Sequence, residues 1–225
     1  KALLQARDPV IYAGQGVLYA GASTELLELA QLLQVPVMTT MEGKSAFQEG
    51  HPLSVGAGGR VMGGALYHFL GKADLVFGIG ASLTEHNMAT LIPPGKLVVH
   101  ATNDPIDIGK SYRVDYPIIG DARLVLRQFI EACGDLLGGA TRDGTVAEEI
   151  AGVKEQWLGQ RTPKLTSNEV PITPYRVIRE FMNKVDPAEA IVTHDSGSPR
   201  DQLLPFYQSA GPRTYLGWGK SHGLG

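Results

Sequence analysis

Two glycine-rich turns are the parts of this sequence whose residue types are suited to holding a phosphate. Gly14 and Gly16 follow an apolar run, and Gly56 opens a second glycine-rich stretch that ends at Arg60. Glycines at such turns let backbone N–H groups approach a phosphate, and an arginine offers a planar fork for its oxygens. A dinucleotide fingerprint has a third glycine where this chain has Tyr19. The pattern leaves two alternatives open, a nucleotide site or turns that serve packing alone.

Polar side chains also follow two later apolar runs, at residues 84–87 and at Asp104. The carboxyl ends of parallel strands are where α/β sheets place a ligand crevice. Asp104 there would accept hydrogen bonds from a ribose or cap the turn that follows it. Glu85 and His86 are adjacent in the chain, and adjacent side chains rarely face one site. A surface turn is therefore the favoured interpretation of residues 84–87.

Composition excludes several functional classes. The net charge is −3 without a basic stripe, which argues against nucleic acid as a partner. The apolar runs fall far short of the roughly 20 residues that a membrane span needs. The histidines show no metal-ligand spacing, so no metal site is predicted. The single cysteine, Cys133, excludes an internal disulfide and lies in an apolar helical pattern, so we expect it in the core of a cytoplasmic protein without a secretory signal.

Short apolar runs alternate with amphipathic segments, the pattern of a parallel sheet with helices on both faces. Residues 1–135 are accordingly predicted to form a Rossmann-like, doubly wound α/β domain with a mostly parallel sheet. Strands are predicted at 10–13, 35–40, 74–80, 97–101 and 116–119, and helices at 22–34, 65–70 and 122–133, the last capped by Asp121. The glycine-rich loop from 41 to 64 is long for a compact domain, which indicates a function for it.

The remaining residues divide into a linker at 136–170 and the start of a second α/β unit at 171–225. The linker contains glycine breakers and one charged helix at 146–158. In the second unit Thr173 caps a helix with Pro174 in its first turn, followed by a strand at 190–194, a helix at 203–207 and a strand at 213–217. Its sheet is unfinished and Gly225 ends the chain inside a glycine-rich run, so we expect a fragment.

The order of these pieces resembles the central domain of thiamine-diphosphate-dependent enzymes, the acetolactate synthases in particular. The resemblance is in register from about residue 9 to residue 133. It rests on Gly14-Gln-Gly16, Val35-Pro-Val-Met-Thr-Thr40, His51-Pro-Leu-Ser-Val-Gly56, Asn103-Asp-Pro105 and Pro117-Ile-Ile-Gly-Asp121, in that order. After the linker, residues 190–197 look like the entry to the family's C-terminal cofactor domain.

The resemblance implies an enzyme, a lyase or transferase, in which thiamine diphosphate and Mg²⁺ decarboxylate a 2-keto acid or join it to a second carbonyl. It also implies a homo-oligomer, either a dimer or a tetramer. The implied thiamine-diphosphate contacts are Ser196, Gly197, Ser198, His222 and Gly223. The family's activating glutamate and Mg²⁺-holding segment have no counterpart within residues 1–225. No catalytic residue is therefore assigned, and we expect this chain to be inactive alone.

Some acetolactate synthases bind FAD in the central domain. Residues 14–16, 39–41, 56–60 and 103–104 of this chain lie where that family contacts FAD. The candidate nucleotide contacts among them are Gly14, Gly16, Thr40, Gly56, Arg60 and Asp104. FAD-binding members carry Arg-x-Asp-Asp-Arg after the third strand, whereas this chain has Ser82-Leu-Thr-Glu-His-Asn87. Without the two arginines FAD is less expected than an ADP-like ligand or a purely structural crevice. The alternative function is accordingly a Rossmann-like nucleotide-binding or scaffold module.

Overall fold

The computed structural model describes residues 1–195 and 197–217. Its larger sheet is parallel throughout and has six strands: β1 Pro9–Ala13, β2 Val37–Thr39, β3 Ser54–Ala57, β4 Leu75–Ile79, β5 Leu97–Thr102 and β6 Tyr116–Ile119. The strand order is β3-β2-β1-β4-β5-β6, so the direction of winding reverses between β1 and β4. The predicted Rossmann-like α/β class is confirmed.

Helices cover both faces of this sheet. They are α1 Ala2–Gln5, α2 Gln15–Tyr19, α3 Ser23–Leu33, α4 Gly64–Lys72, α5 Ala122–Leu137 and α6 Val146–Gly159. Successive strand side chains point to opposite faces, so Ile11 and Phe77 pack in one core with α3 and α5. Their neighbours Val10 and Val76 pack in a second core with α4 and α6. This two-sided burial explains why the central strands are apolar at every position.

Helix α5 begins as the sequence predicts. The Asp121 carboxylate accepts hydrogen bonds from the backbone N–H groups of Arg123 and Leu124, at 3.0 and 3.1 Å. The helix ends at Leu137 and is followed by Gly138, whose φ of +60° is the left-handed conformation that glycine adopts without a steric penalty. Cys133, on the inner side of this helix, is buried as expected.

The edge strand β3 lies inside the segment that the sequence predicts to be a long loop. Its four residues include Gly56 at a φ of +95°, and its pairing with β2 shifts register between Val37 and Met38. A strand this short, interrupted by a glycine, carries too little period-two pattern to be recognised. The sheet therefore has one strand more than the five predicted.

The second half of the chain contains α7 Thr162–Leu165, α8 Pro174–Lys184, α9 Ser198–Leu203 and a two-stranded parallel sheet of β7 Val192–Thr193 and β8 Tyr215–Leu216. Thr173 caps α8 through the Arg176 amide, as predicted. A helix at 203–207 was wrong, because α9 ends at Leu203. Pro205 lacks the N–H that another helical turn would need.

In the part of the chain that the structure describes, no helix is both long and apolar enough to cross a membrane.

Candidate functional site

A crevice opens at the carboxyl edge of the large sheet, where the strand order reverses between β1 and β4. Ligands bind at such switch points because the loops from the two strands diverge there. The cavity measures about 300 Å³. Its walls come from strand β1 and from the loops that follow β2, β3, β4 and β5. They include Tyr12, Thr40, Met41, Glu42, Gly58, Ser82, Thr84, His86, Met88, Lys110 and Tyr112.

The crevice offers little positive charge. Lys110 is the only lysine or arginine among the described residues that line it, and its ammonium lies 3.8 Å from the Asp107 carboxylate. Glu42 contributes a carboxylate to the same wall. Burial raises the pKa of the Tyr12 hydroxyl, a hydrogen bond with Thr90 opposes that shift, and the Glu42 charge adds to it. Such a site poorly offsets the two negative charges of a pyrophosphate.

Gly14 and Gly16 lie just after β1 and pack against the turn after β4. Their N–H groups donate to the carbonyls of Ile79 and Gly80, at 2.9 and 2.8 Å. A Cβ on Gly14 would lie 2.3 Å from the Gly80 carbonyl oxygen. Both amides are therefore engaged within the fold, and the glycines allow close approach of two backbone segments. Their predicted part in a nucleotide site stays a prediction.

The other predicted nucleotide contacts are dispersed. Thr40 lines the crevice, and its hydroxyl accepts a hydrogen bond from the Gly43 amide at 2.9 Å. Gly56 borders a different cavity, on β3. Arg60 is exposed, and Asp104 caps the 3-10 turn Pro105–Asp107 by accepting from the Ile106 amide at 3.0 Å. The structure thus brings Thr40 alone of these four into the crevice.

The loop after β4 contributes more side chains to the crevice than the sequence predicts. Thr84 and His86 both line the crevice, whereas Glu85 is exposed and its amide donates to the Ser111 hydroxyl at 2.8 Å. The expectation that the adjacent pair would not share one site is confirmed, but the loop is more than a surface turn. Tyr12 and Lys110 were also missed. Tyr12 lies on β1, where period two places it on the same face as Val10.

Part of the predicted cofactor turn is described. Gly197 has a φ of +78° and precedes α9, and Ser198 is exposed at the start of that helix. Among residues 1–195 and 197–217, no atom outside its chain neighbours would lie within 4 Å of a Cβ on Gly197, so these residues leave the turn open on that side. This open, glycine-dependent turn fits an approaching diphosphate. Ser196, His222 and Gly223 lie outside the described residues.

A buried ion pair fastens the loop after β2 to the second half of the chain. The Lys44 ammonium lies 2.6 Å from Glu49 Oε1, and it also donates to the carbonyls of Leu204 and Tyr207, at 3.3 and 2.7 Å. Glu49 Oε2 accepts from both the amide and the hydroxyl of Ser209, at 2.9 and 3.0 Å. Burial lowers the pKa of Lys44, and the Glu49 charge opposes that shift.

The segment that contains β8 also contacts the loop after β2. The Arg213 amide donates to the Ser45 hydroxyl, and Arg213 Nη2 donates to the Leu18 carbonyl, each at 3.1 Å. Gly217 packs so tightly that a Cβ on it would lie 2.4 Å from the Met41 carbonyl oxygen. Met41 lines the crevice. Gly217 therefore lies beside that crevice.

Metal-ligating side chains do not converge in this structure: residues 1–195 and 197–217 contain no group of three or more His, Cys, Asp or Glu that could hold a metal ion.

Comparison with known proteins gives a consistent result. The sequence profile of the family described as "Thiamine pyrophosphate enzyme, central domain" matches residues 1–129. The probable acetolactate synthase large subunits of Methanocaldococcus jannaschii and Methanococcus aeolicus are 33% and 30% identical to the whole of this chain. The acetolactate synthase isozyme 3 large subunit of Escherichia coli is 30% identical over 99% of it. The chain spans 38–39% of the length of these relatives.

Proposed function

The chain belongs to the thiamine pyrophosphate enzymes, whose central domain it carries, and from that premise we propose that it is part of an acetolactate synthase-like enzyme. In this proposal the whole enzyme uses thiamine diphosphate to decarboxylate a 2-keto acid and transfer the remaining fragment to a second carbonyl. The observation that carries the proposal is the extent of the similarity. It continues past residue 129 through the linker and the second unit, to relatives named acetolactate synthases.

We propose the following division of labour within the chain. Residues 1–135 form the central domain, 136–170 connect it to the next unit, and 171–225 begin the cofactor domain. Helix α6 of the connecting segment packs on α4 through Ile150, which supports a connection held against the central domain. The Lys44–Glu49 pair then holds residues 204–209 in place.

Thiamine diphosphate would be held partly by the turn before α9. The cofactor supplies an electron sink for the pair released when carbon dioxide leaves. Gly197 would let the backbone approach the diphosphate, and the exposed Ser198 hydroxyl would donate a hydrogen bond to it. Ser196, His222 and Gly223 are proposed contacts on the strength of the family resemblance. Mg²⁺ would neutralise part of the diphosphate charge and is proposed with the cofactor.

A cytoplasmic, homo-oligomeric enzyme, dimer or tetramer, completes the proposal. The location is supported by the single, buried cysteine, which suits a reducing compartment. The oligomer is supported by the family resemblance alone.

A nucleotide-binding module is not favoured as the function. The Asp107 carboxylate partly offsets the charge of Lys110. The Gly14 and Gly16 amides already donate hydrogen bonds to the carbonyls of Ile79 and Gly80. Of the two nucleotides, an ADP-like ligand would fit the 300 Å³ crevice better than FAD, because it is smaller.

Turnover tests the proposal. The complete polypeptide that contains this chain is incubated with pyruvate, thiamine diphosphate and Mg²⁺, and released carbon dioxide and acetolactate are quantified. We expect cofactor-dependent production of both, and none from residues 1–225 alone. Production of carbon dioxide without acetolactate would show that the enzyme is a decarboxylase and would contradict the proposed carboligase activity. No turnover of pyruvate or of other 2-keto acids by the complete polypeptide would contradict the proposed activity.

A further inference from the structure

A second cavity lies between the edge strand β3, helix α6 and the turn at residues 204–208. It measures about 330 Å³ and, among the described residues, shares no lining residue with the crevice. This volume is near the lower end of the range of small-molecule sites, which begins at about 300 Å³. The cavity is therefore of a size to take a compact organic ligand.

Aromatic side chains form one wall of this cavity, and they are held in place. Trp157 and Phe206 lie with their ring centroids 5.1 Å apart. The Arg161 guanidinium stacks on the Trp157 ring at 4.1 Å from its centroid. A Cβ on Gly64 would lie 2.4 Å from Trp157 Cδ1, so the indole also touches the backbone of α4. The wall therefore presents fixed flat apolar surfaces.

Two cations reach the cavity without a hydrogen bond or an ion pair among the described residues, and one carboxylate, that of Glu49, also lines it. Lys154 is half-buried, and within residues 1–195 and 197–217 neither it nor the exposed Arg179 makes a hydrogen bond or an ion pair. Burial lowers the pKa of Lys154, and the charge of Glu49 opposes that shift. Glu49 is, however, already compensated by the buried Lys44 ammonium. The surplus charge at the cavity is therefore positive.

A buried hydroxyl adds a hydrogen-bonding group. Tyr207 borders the cavity and is 3% exposed, and its hydroxyl has no hydrogen-bond partner among the described residues. A buried polar atom without a partner costs about 1–3 kcal/mol, so an unexplained one points to a missing acceptor or donor. The nearby Asp186 carboxylate is not that partner; it instead accepts a hydrogen bond from the Ala188 amide at 2.9 Å.

We propose that this cavity is a binding site for a small aromatic carboxylate, with the ring against Trp157 and Phe206 and the carboxylate on the Lys154 ammonium. The flat apolar wall selects the ring, and the surplus positive charge selects the anion. Arg179 adds to the field at the mouth, and Tyr207 supplies a further donor. The site is independent of the proposed turnover reaction.

A pair of matched probes tests the proposal. Binding of 2-naphthoate and of its neutral analogue 2-naphthamide to the chain is measured by calorimetry for the wild type, for Lys154→Met and for Lys184→Met. Lys184 is exposed at the end of α8 and does not line the cavity, so it is the control. We expect the wild type and K184M to bind the naphthoate about 10-fold more tightly than the naphthamide, which is about 1.4 kcal/mol. In K154M the two affinities should agree within about twofold.

Methionine methyl resonances locate the ligand. Met182 lines this cavity and Met88 lines the crevice, and the chain has only five methionines. With ¹³C-methyl methionine, naphthoate should shift the Met182 signal through its ring current and leave Met88 unchanged. The proposal would be overturned by a shift at Met88 alone, by an anion preference that persists in K154M, or by no binding of either probe at millimolar concentration.

Discussion

Lys44 and Glu49 form an ion pair that is wholly enclosed by the fold: the lysine is 0% exposed and the glutamate 5% exposed. Both lie in the loop after β2, yet their remaining hydrogen bonds go to residues 204–209, about 160 positions along the chain. Burying two charges is costly unless each finds the other and its remaining hydrogen-bonding capacity is used. Both conditions hold here, so the pair fixes the position of residues 204–209 against the loop after β2.

Removing one charge should unfold much of that connection. Glu49→Gln leaves the Lys44 ammonium buried without a counter-charge, and breaking such a pair costs about 3–5 kcal/mol. We expect a loss of that size in the free energy of unfolding, measured by urea denaturation. Glu85→Gln is the control, because Glu85 is exposed, and it should change stability by less than about 0.5 kcal/mol.

The double variant Lys44→Met/Glu49→Gln separates pairing from packing. If the ions depend on each other, the double variant is less destabilised than the sum of the two single variants, by about 0.5–3 kcal/mol. Additive losses would show that the two side chains act independently. Hydrogen exchange at the Ser209 amide, which donates to Glu49, should accelerate in E49Q if the loss is local to this connection.

The close approach of β1 to the turn after β4 makes a second prediction. Gly14→Ala places a methyl group 2.3 Å from the Gly80 carbonyl oxygen and 2.6 Å from the Ala81 side chain. Both neighbours lie in a tight turn, so the backbone has to move, and overpacking of this kind costs about 1–3 kcal/mol.

Gly152→Ala on helix α6 is the matched comparison for Gly14→Ala. Gly152 lies within the helix, and in the described part of the chain no atom beyond its own helix would lie within 4 Å of a Cβ there. This substitution should stabilise the chain by about 0.5–1 kcal/mol, since alanine is the better helix former. Thermal unfolding of both variants measures the contrast. Equal effects would contradict the packing role assigned to Gly14.

His100 should make stability depend on pH below neutrality. Burial lowers its pKa, while the Ala81 carbonyl, 2.8 Å from Nε2, and the Asp107 charge oppose that shift. The unfolded chain therefore takes up a proton below its ordinary pKa of about 6.5, whereas the folded chain does so only at lower pH. The unfolded state binds more protons in that window, so stability falls as the pH falls, by up to about 1.4 kcal/mol per pH unit.

His100→Gln isolates this contribution, because glutamine can still donate to the Ala81 carbonyl but does not titrate. The free energy of unfolding is measured from pH 5 to 8.5 for both proteins. Below about pH 6.5 the variant should lose stability less steeply than the wild type. Between pH 7.5 and 8.5 the two slopes should coincide, and a difference confined to that upper range would contradict the assignment.

The sheet and its position in the fold follow largely from the sequence, because the central strands are buried on both faces. The strand predicted at 74–80 is apolar from Leu75 to Ile79, and these five residues form β4. The edge strand β3 was not predicted, because it is short and contains Gly56. The switch-point rule placed a crevice at the correct edge, but it does not say which side chains line it. Lys44 and Glu49 could not be paired with residues 204–209, because a contact across 160 positions leaves no periodic signal.

The charge of the crevice makes the last prediction, which concerns flavin. Ser82 and His86 line the crevice, at the positions that the family resemblance assigns to the two arginines of FAD-binding members. Ser82→Arg/His86→Arg adds two guanidinium groups, and a hydrogen bond to a charged group contributes about 1.5–3 kcal/mol. We expect FAD to bind at least about 10-fold more tightly to this variant than to the wild type, measured by quenching of flavin fluorescence.

Glu85→Arg/Asn87→Arg is the control variant. It adds at least as much positive charge to the same loop at two positions outside the lining, and it should leave the affinity for FAD within about threefold of the wild-type value. An equal gain in both variants would show that net charge, rather than its placement in the crevice, controls flavin binding.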